Sequence, residues 1–253
     1  MKHLLLLLPV LFGLGNTQAE EILKADFRER PPEMQVIDGL PSGPLISVLD
    51  TAAHRIGARV QWREAPFLRS LDDLRNGRID IVPRVIYTLD RQSYIHYLPS
   101  IGRQRKNIRF VVRPGQETRL RSYRDLQGLS IGVKRGTAYF EPFDSDGLLS
   151  KRLASDDAQL VAMFRAQRLD AIVVLDQIPL ETSFAAIGFD GYRYAPYQHE
   201  QRIDNHFGVS RRLYEGKRRA LYERLAAELQ AMRARGEIKQ IYERYDVEVP
   251  DAP

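Results

Sequence analysis

Arg91 carries the clearest chemistry in this 253-residue chain. It follows an apolar segment, Ile79 to Val85, that reads as a short buried strand, and its guanidinium is a planar fork that pairs bidentately with a carboxylate. Thr88, three residues earlier, has a hydroxyl that can cap the turn leading into Arg91 or donate to a ligand oxygen. Gly136-Thr137 follows a second strand-like segment, Ser130 to Lys134, where a glycine permits close backbone approach and amides at a helix start can bind an anion. Tyr87, Phe67 and Tyr139 fall near predicted strand ends, where rings either wall a ligand or join the core. Arg84, beside Pro83, offers a second anionic group a cation.

Several chemistries find no support. There is no zinc-type His pair, no Gly-x-Ser-x-Gly elbow and no phosphate-binding Gly-Lys-Ser/Thr loop. The five histidines, at positions 3, 54, 96, 199 and 206, are scattered and receive no catalytic role, so neither metal nor cofactor is expected. A formal net charge of +5 spread along the chain speaks to solubility rather than to nucleic acid. The basic run Arg103, Arg105, Lys106, Arg109, Arg113 lacks a nucleic-acid module around it and reads as a solvated strand face.

The elements that must position these residues alternate. Ile22 to Phe27 and Arg59 to Trp62 read as strands around a helix from Gly43 to Ile56, closed by Gly57. Pro66 to Arg75 is again helical, with Phe67, Leu68, Leu71 and Leu74 on one face and Gly77 after it. A second unit begins with strand Ile108 to Val112, a short helix near Arg124 to Leu126, strand Ser130 to Lys134, a helix over Asp156 to Gln167 and strand Asp170 to Leu175. Tyr192 to Val209 is extended, and a helical tail follows. The fold class is therefore α/β, with two lobes, each a mostly parallel sheet flanked by helices, joined by two crossing strands. In such sheets ligands bind beyond the carboxyl ends of the strands.

Lys2 and His3, the apolar run Leu4 to Leu14 and the small and polar stretch up to Ala19 have the order of a cleavable secretory signal, too short to span a bilayer. Cysteine is absent from the chain, so no lipid anchor follows the signal and no disulfide framework forms. Cleavage near Ala19 would leave roughly 230 residues, enough for two real cores.

Five segments taken in order resemble the family 3 bacterial extracellular solute-binding proteins, the polar amino-acid receptors of ABC importers. They are Ala65 to Leu71 running into Gly77-Arg78-Ile79-Asp80-Ile81; Thr88-Leu89-Asp90-Arg91 with Tyr94 to Pro99; Asp125-Leu126-Gln127-Gly128 with Ile131-Gly132-Val133 and Gly136-Thr137; Leu169 to Val173 with Asp176; and Gly236-Glu237-Ile238 with Ile241 and Glu243 to Tyr245. The resemblance implies a two-lobed clamp, with residues 20–110 and 205–253 in lobe 1 and 111–204 inserted as lobe 2. It implies a freely diffusing monomer in the periplasm that captures a small polar ligand and presents it to an ABC permease or a membrane sensor.

By the same resemblance Arg91 holds a ligand carboxylate, Thr137 and neighbouring amides close over it, and Asp176 receives an ammonium group. Three departures stand against an ordinary amino-acid pocket. Ile86 replaces a hydroxyl-bearing residue, Asp176 lies six residues after Asp170 instead of five, and the first loop, Arg28-Glu29-Arg30-Pro31-Pro32-Glu33, is charged. A dicarboxylate, an amine or a peptide-like ligand is left open. An exported cyclohexadienyl dehydratase, which resembles the same family, is the enzymatic alternative. Its catalytic Glu would fall near Asp176-Gln177-Ile178-Pro179, where Pro179 stands instead and Glu181 is displaced.

Overall fold

A computed structural model describes residues 20–252; the proposed signal, residues 1–19, lies outside the described residues. From the amino end, strand β1 (Glu21–Phe27) leads into the charged loop and a small hairpin, β2 (Gln35–Ile37) with β3 (Leu40–Ser42). Helix α1 (Pro44–Arg55) follows. Pro44 suits the first helical turn, whose amides have no intrahelical partner, and Leu45, Leu49, Ala52 and Ala53 form its buried face. Next come β4 (Ala58–Glu64), α2 (Phe67–Arg75), β5 (Ile81–Pro83), the one-turn α3 (Leu89–Gln92) and β6 (Ile95–Tyr97).

The chain then runs through β7 (Arg103–Val112), a 3-10 turn over Tyr123–Leu126, β8 (Ser130–Lys134), β9 (Ser150–Ala154), α4 (Asp157–Arg165), β10 (Ala171–Val174), α5 (Gln177–Ala186) and the long β11 (Arg193–Asp204). It ends with β12 (Phe207–Ser210), α6 (Arg211–Tyr214), α7 (Arg219–Ala234) and α8 (Glu237–Arg244).

Two five-stranded sheets result, in the orders β4-β1-β5-β12-β6 and β11-β7-β10-β8-β9. Each keeps three adjacent parallel strands, β4-β1-β5 in one and β10-β8-β9 in the other. The remaining neighbours are antiparallel, so both sheets are mixed. Strands β7 and β11 pair along nearly their whole lengths, from Arg103 opposite Asp204 to Val112 opposite Arg193, with an irregularity between Tyr194 and Gln198.

Both faces of each sheet are covered, as parallel strands require. One face of the first sheet packs on α1, α7 and α8 through Leu23, Leu49, Leu225 and Tyr242, and its other face carries Leu74, Val82 and Ile95. The second sheet has Phe110 and Phe143 on one side and Val111, Phe164 and Phe184 on the other.

Asp80 ties the first sheet together. Its main-chain carbonyl accepts from Ser210 N (3.0 Å), while its buried carboxylate accepts from Lys24 N (2.9 Å) and Tyr222 Oη (2.6 Å) and pairs with Arg218 Nε (2.9 Å). Three partners on β1 and α7 thus converge on one carboxylate at the entry to β5. Asp80→Ala, which leaves them unmatched, is expected to lower the unfolding free energy by about 3 kcal/mol or more in urea titrations; a loss under about 1 kcal/mol would contradict this role.

Candidate functional site

Arg91 reaches across the space between the two sheets. Its short helix is capped by Thr88, whose Oγ1 accepts from Arg91 N (3.3 Å), and the side chain is buried at 6 % exposure. Nη1 donates to Ile86 O (2.8 Å) on its own side, and Nη2 donates to Gly136 O (2.5 Å) in the turn after β8. Gly136 has φ 74°, and a Cβ there would collide with Leu68 of α2, so this turn needs glycine to come so close to the first sheet's helices.

A cavity of about 1110 Å³ opens at this contact, and Tyr87, Thr88, Arg91, Gly136, Thr137 and Tyr139 all line it. Their roles differ. The amide of Thr137 donates to Lys134 O (3.1 Å), so it is used inside the turn and is not turned toward a ligand. Tyr87 is exposed, its hydroxyl on Gln92 Oε1 (3.0 Å) and its ring 5.2 Å from that of Tyr97. Tyr139 belongs to the core of the second sheet; its hydroxyl accepts from Lys134 N (2.9 Å), and burial pushes its phenol well above the usual range.

Asp176 lies at a second, smaller cavity of about 360 Å³, together with Arg30, Glu33 and Lys106. Although it occupies the N-cap position of α5, its side chain caps nothing. Instead its two oxygens receive the fork of Arg30, Oδ2 from Nη1 and Oδ1 from Nη2 (2.5 Å), with Lys106 Nζ 3.4 Å from Oδ1. Arg30 Nε donates to Glu33 Oε2 (2.7 Å), and Glu33 Oε1 accepts from Arg84 Nη1 (2.9 Å).

Arg84 also meets Gln104 and Asn205 and lines neither cavity; it is a buried member of the network. Burial alone would raise the Asp176 carboxyl, but the charges of Arg30 and Lys106 outweigh that and hold it far below the ordinary carboxylate range. Glu33 is likewise lowered, burial being overcome by Arg84 and Arg30.

Phe67 and Arg28 line neither cavity. The Arg28 guanidinium carbon lies 4.1 Å from the Phe67 ring centroid, and that of Arg91 lies 5.5 Å from the same centroid. Arg28 is half-buried and makes no hydrogen bond or ion pair among the described residues. Burial and then the neighbouring Arg30 charge push it down to about 9.

Arg28, Arg30, Glu33 and Lys106 were not singled out as site residues from the sequence. The departure of the first loop was visible, but its partner on the second sheet was not. Lys106 departs from the expected solvated face, since it reaches Asp176. Its neighbours are also engaged: Arg103 pairs with Asp204 (2.8 Å), and Arg109 lies over Tyr194 (3.7 Å). Glu181 accepts from Tyr194 Oη (2.8 Å) and lines neither cavity. Among the described residues no group of three or more His, Cys, Asp and Glu side chains is arranged to hold a metal. No helix among them is long and apolar enough to cross a membrane.

The family model for bacterial extracellular solute-binding proteins, family 3, matches residues 24–248. Among curated sequences no relative matches the chain. Solved structures share the fold. A histidine kinase sensor domain with similarity to periplasmic binding proteins superimposes with a TM-score of 0.72 at 18 % identity, covering 91 % of this chain and 97 % of that one. An ancestral arginine-binding protein bound to arginine gives 0.67 at 19 %, covering 88 % and 97 %. An amino acid ABC transporter substrate-binding protein from Streptococcus pneumoniae, bound to L-arginine, gives 0.64 at 15 %, covering 88 % and 94 %.

The Arg30–Asp176 pair makes the contact between the two facing halves pH-dependent. Because Asp176 is depressed only while it is paired, the pair stabilises that contact above the ordinary aspartate value of about 4 and is lost as pH falls through the lower, paired value. Small-angle scattering of the unliganded protein should show a compact particle at neutral pH that expands below about pH 4. Asp176→Asn should already be expanded at neutral pH. Equal radii of gyration for the two proteins at neutral pH would contradict the pairing.

Proposed function

Given that the chain belongs to the bacterial extracellular solute-binding proteins, family 3, we propose that it captures a small polar ligand bearing a carboxylate in the cleft between its sheets and presents it to an ABC importer. Residues 20–110 and 205–253 act as one lobe, residues 111–204 as the other, and β7 with β11 carry the hinge about which they close. The signal up to Ala19 is removed, and the monomer diffuses in the periplasm to its membrane partner.

The observation that carries this reading is the position of Arg91. It is a buried guanidinium at the mouth of a large cavity whose two terminal nitrogens span the cleft from Ile86 O to Gly136 O. Main-chain carbonyls are weak partners for a buried cation, and a carboxylate entering here exchanges them for a charge-assisted bidentate pair while still bridging both lobes. Such a site binds and closes without chemistry. Pro179 stands where the dehydratase resemblance would put a catalytic Glu, and the displaced Glu181 is held by Tyr194 and lines neither cavity.

A sensor subunit is the second reading, favoured by the likeness to a histidine kinase sensor domain. The same cleft serves both, and only the docking face differs.

A thermal-shift screen with amino acids, dicarboxylates, amines and short peptides identifies the ligand, because binding to the folded state alone raises apparent stability. With the best carboxylate from that screen, Arg91→Ala should weaken binding about a hundredfold in titration calorimetry, equivalent to about 3 kcal/mol, while the melting temperature of the unliganded protein stays close to wild type. Unchanged affinity would defeat the proposal.

A further inference from the structure

Ten large apolar side chains are exposed among the described residues, and four of them, Leu68, Tyr87, Leu89 and Leu153, line the cavity at Arg91. Single exposed apolar residues are ordinary on a protein surface, but their gathering around one concavity marks a place that something apolar covers. Leu89, 80 % exposed, opens α3, and Leu153, 57 % exposed, belongs to the edge strand β9 of the second sheet. Both halves therefore contribute. Ile86, at the position where the family resemblance implies a hydroxyl, lines the same cavity and extends its apolar wall.

The polar groups of that wall are of both signs. Arg91 is a buried guanidinium whose terminal nitrogens meet main-chain carbonyls only. The loop after β8 adds Glu141 and Asp144, neither in an ion pair among the described residues: Glu141 accepts from the Ser145 hydroxyl, and Asp144 Oδ2 accepts from Tyr139 N (2.8 Å). Asp90 of α3 lines the cavity too, again without an ion pair, whereas Asp72 pairs with Arg78 and Asp204 with Arg103. Of the other cations, Lys134 pairs with Asp157, Arg75 lies over the Tyr94 ring, Lys151 donates to two main-chain carbonyls and Arg202 stands exposed on β11. Asp176, the acid expected for an ammonium group, lines the other cavity and is taken by Arg30 and Lys106.

The volume agrees with the apolar wall. At about 1110 Å³ the cavity lies just above the range of roughly 300–1,000 Å³ that holds drug-sized ligands, and a single amino acid leaves most of it empty. We infer that the cleft takes a short apolar peptide, its terminal carboxylate on Arg91, its ammonium group on Glu141 and Asp144, and its side chains against Leu68, Tyr87, Leu89 and Leu153. A free amino acid that reaches Arg91 leaves the outer leucines uncovered. A peptide covers them from both halves at once.

This rests on the carboxylate role proposed for Arg91, and the test keeps the two apart. Titration calorimetry of residues 20–253 compares leucyl-leucine with leucine, arginine, glutamate and glycyl-glycine. Leucyl-leucine should bind at least about tenfold more tightly than any of them. The Leu89→Ser, Leu153→Ser double variant, altered only at exposed positions, should weaken it at least about fivefold with the unliganded melting temperature unchanged. N-acetyl-leucyl-leucine, which lacks the ammonium group, should bind at least about tenfold more weakly than leucyl-leucine. Glu141→Gln with Asp144→Asn, which keeps acceptors for Ser145 and Tyr139 N, should reduce that difference to within about twofold.

A free amino acid that binds as tightly as leucyl-leucine, a leucine double variant with unchanged dipeptide affinity, or an acetylation effect that persists without the two acids overturns this inference and spares the receptor. Leucyl-leucinamide, which lacks the carboxylate, separates the premise: binding equal to that of leucyl-leucine removes the carboxylate reading of Arg91 and this inference with it. If no peptide binds, the peptide reading is overturned, and Arg91 is judged on the ligand found in the thermal-shift screen.

Discussion

Arg30 and Asp176 are 146 positions apart in the chain and belong to the two facing halves of the molecule, yet they form a two-point pair at the place where those halves meet. The arrangement around the cleft follows from what that pair needs. A buried ion pair gains only when its geometry is good and its remaining donors are matched. Glu33 supplies that match from behind, taking the Nε of Arg30 and so fixing the plane of its fork. Glu33 is itself held by Arg84, and its main-chain carbonyl accepts from Leu45 N (3.3 Å) at the start of α1. Gly43 makes that approach feasible, since a Cβ there would strike the Glu33 carbonyl. The fixed φ of Pro31 and Pro32 restricts the loop between the two charges.

Two polar contacts join the halves at the cleft, the Arg30 fork on Asp176 and the Arg91 link to Gly136 O. Polar interfaces between lobes permit relative motion, whereas the apolar cores on either side of each sheet do not. Separate apolar cores thus flank a seam of charged and polar groups. In the proposed role, an anion entering the seam would change its electrostatics without repacking a core, and a small ligand would select a closed form in that way.

Much of this organisation was legible along the chain. The strand and helix periodicities around Leu23, Leu49, Leu74 and Ile131 lead to the right elements, because each buries a regular face. Strand β9 escaped, since Ser150–Ala154 is a polar edge strand with little burial and no alternation. Helix α5 escaped for another reason: apolar and polar residues are mixed around it, and Pro179 looks like a breaker although it sits in the first turn, where an amide is dispensable. Arg91 stood out because its neighbours Thr88 and Gly136-Thr137 are local motifs. The partner of Arg30 did not, because a pairing over such a separation leaves no local trace. The extra residue before Asp176 left open which way it faces, and the side chain turns from its own helix toward Arg30.

The central claim is that the Arg30 fork on Asp176 holds the two facing halves together at the cleft. Arg30→Met keeps the bulk of the side chain and removes its charge, so small-angle scattering of this variant at neutral pH, without ligand, tests the claim most directly. The account predicts a larger radius of gyration than wild type. An equal radius in a folded variant would contradict it.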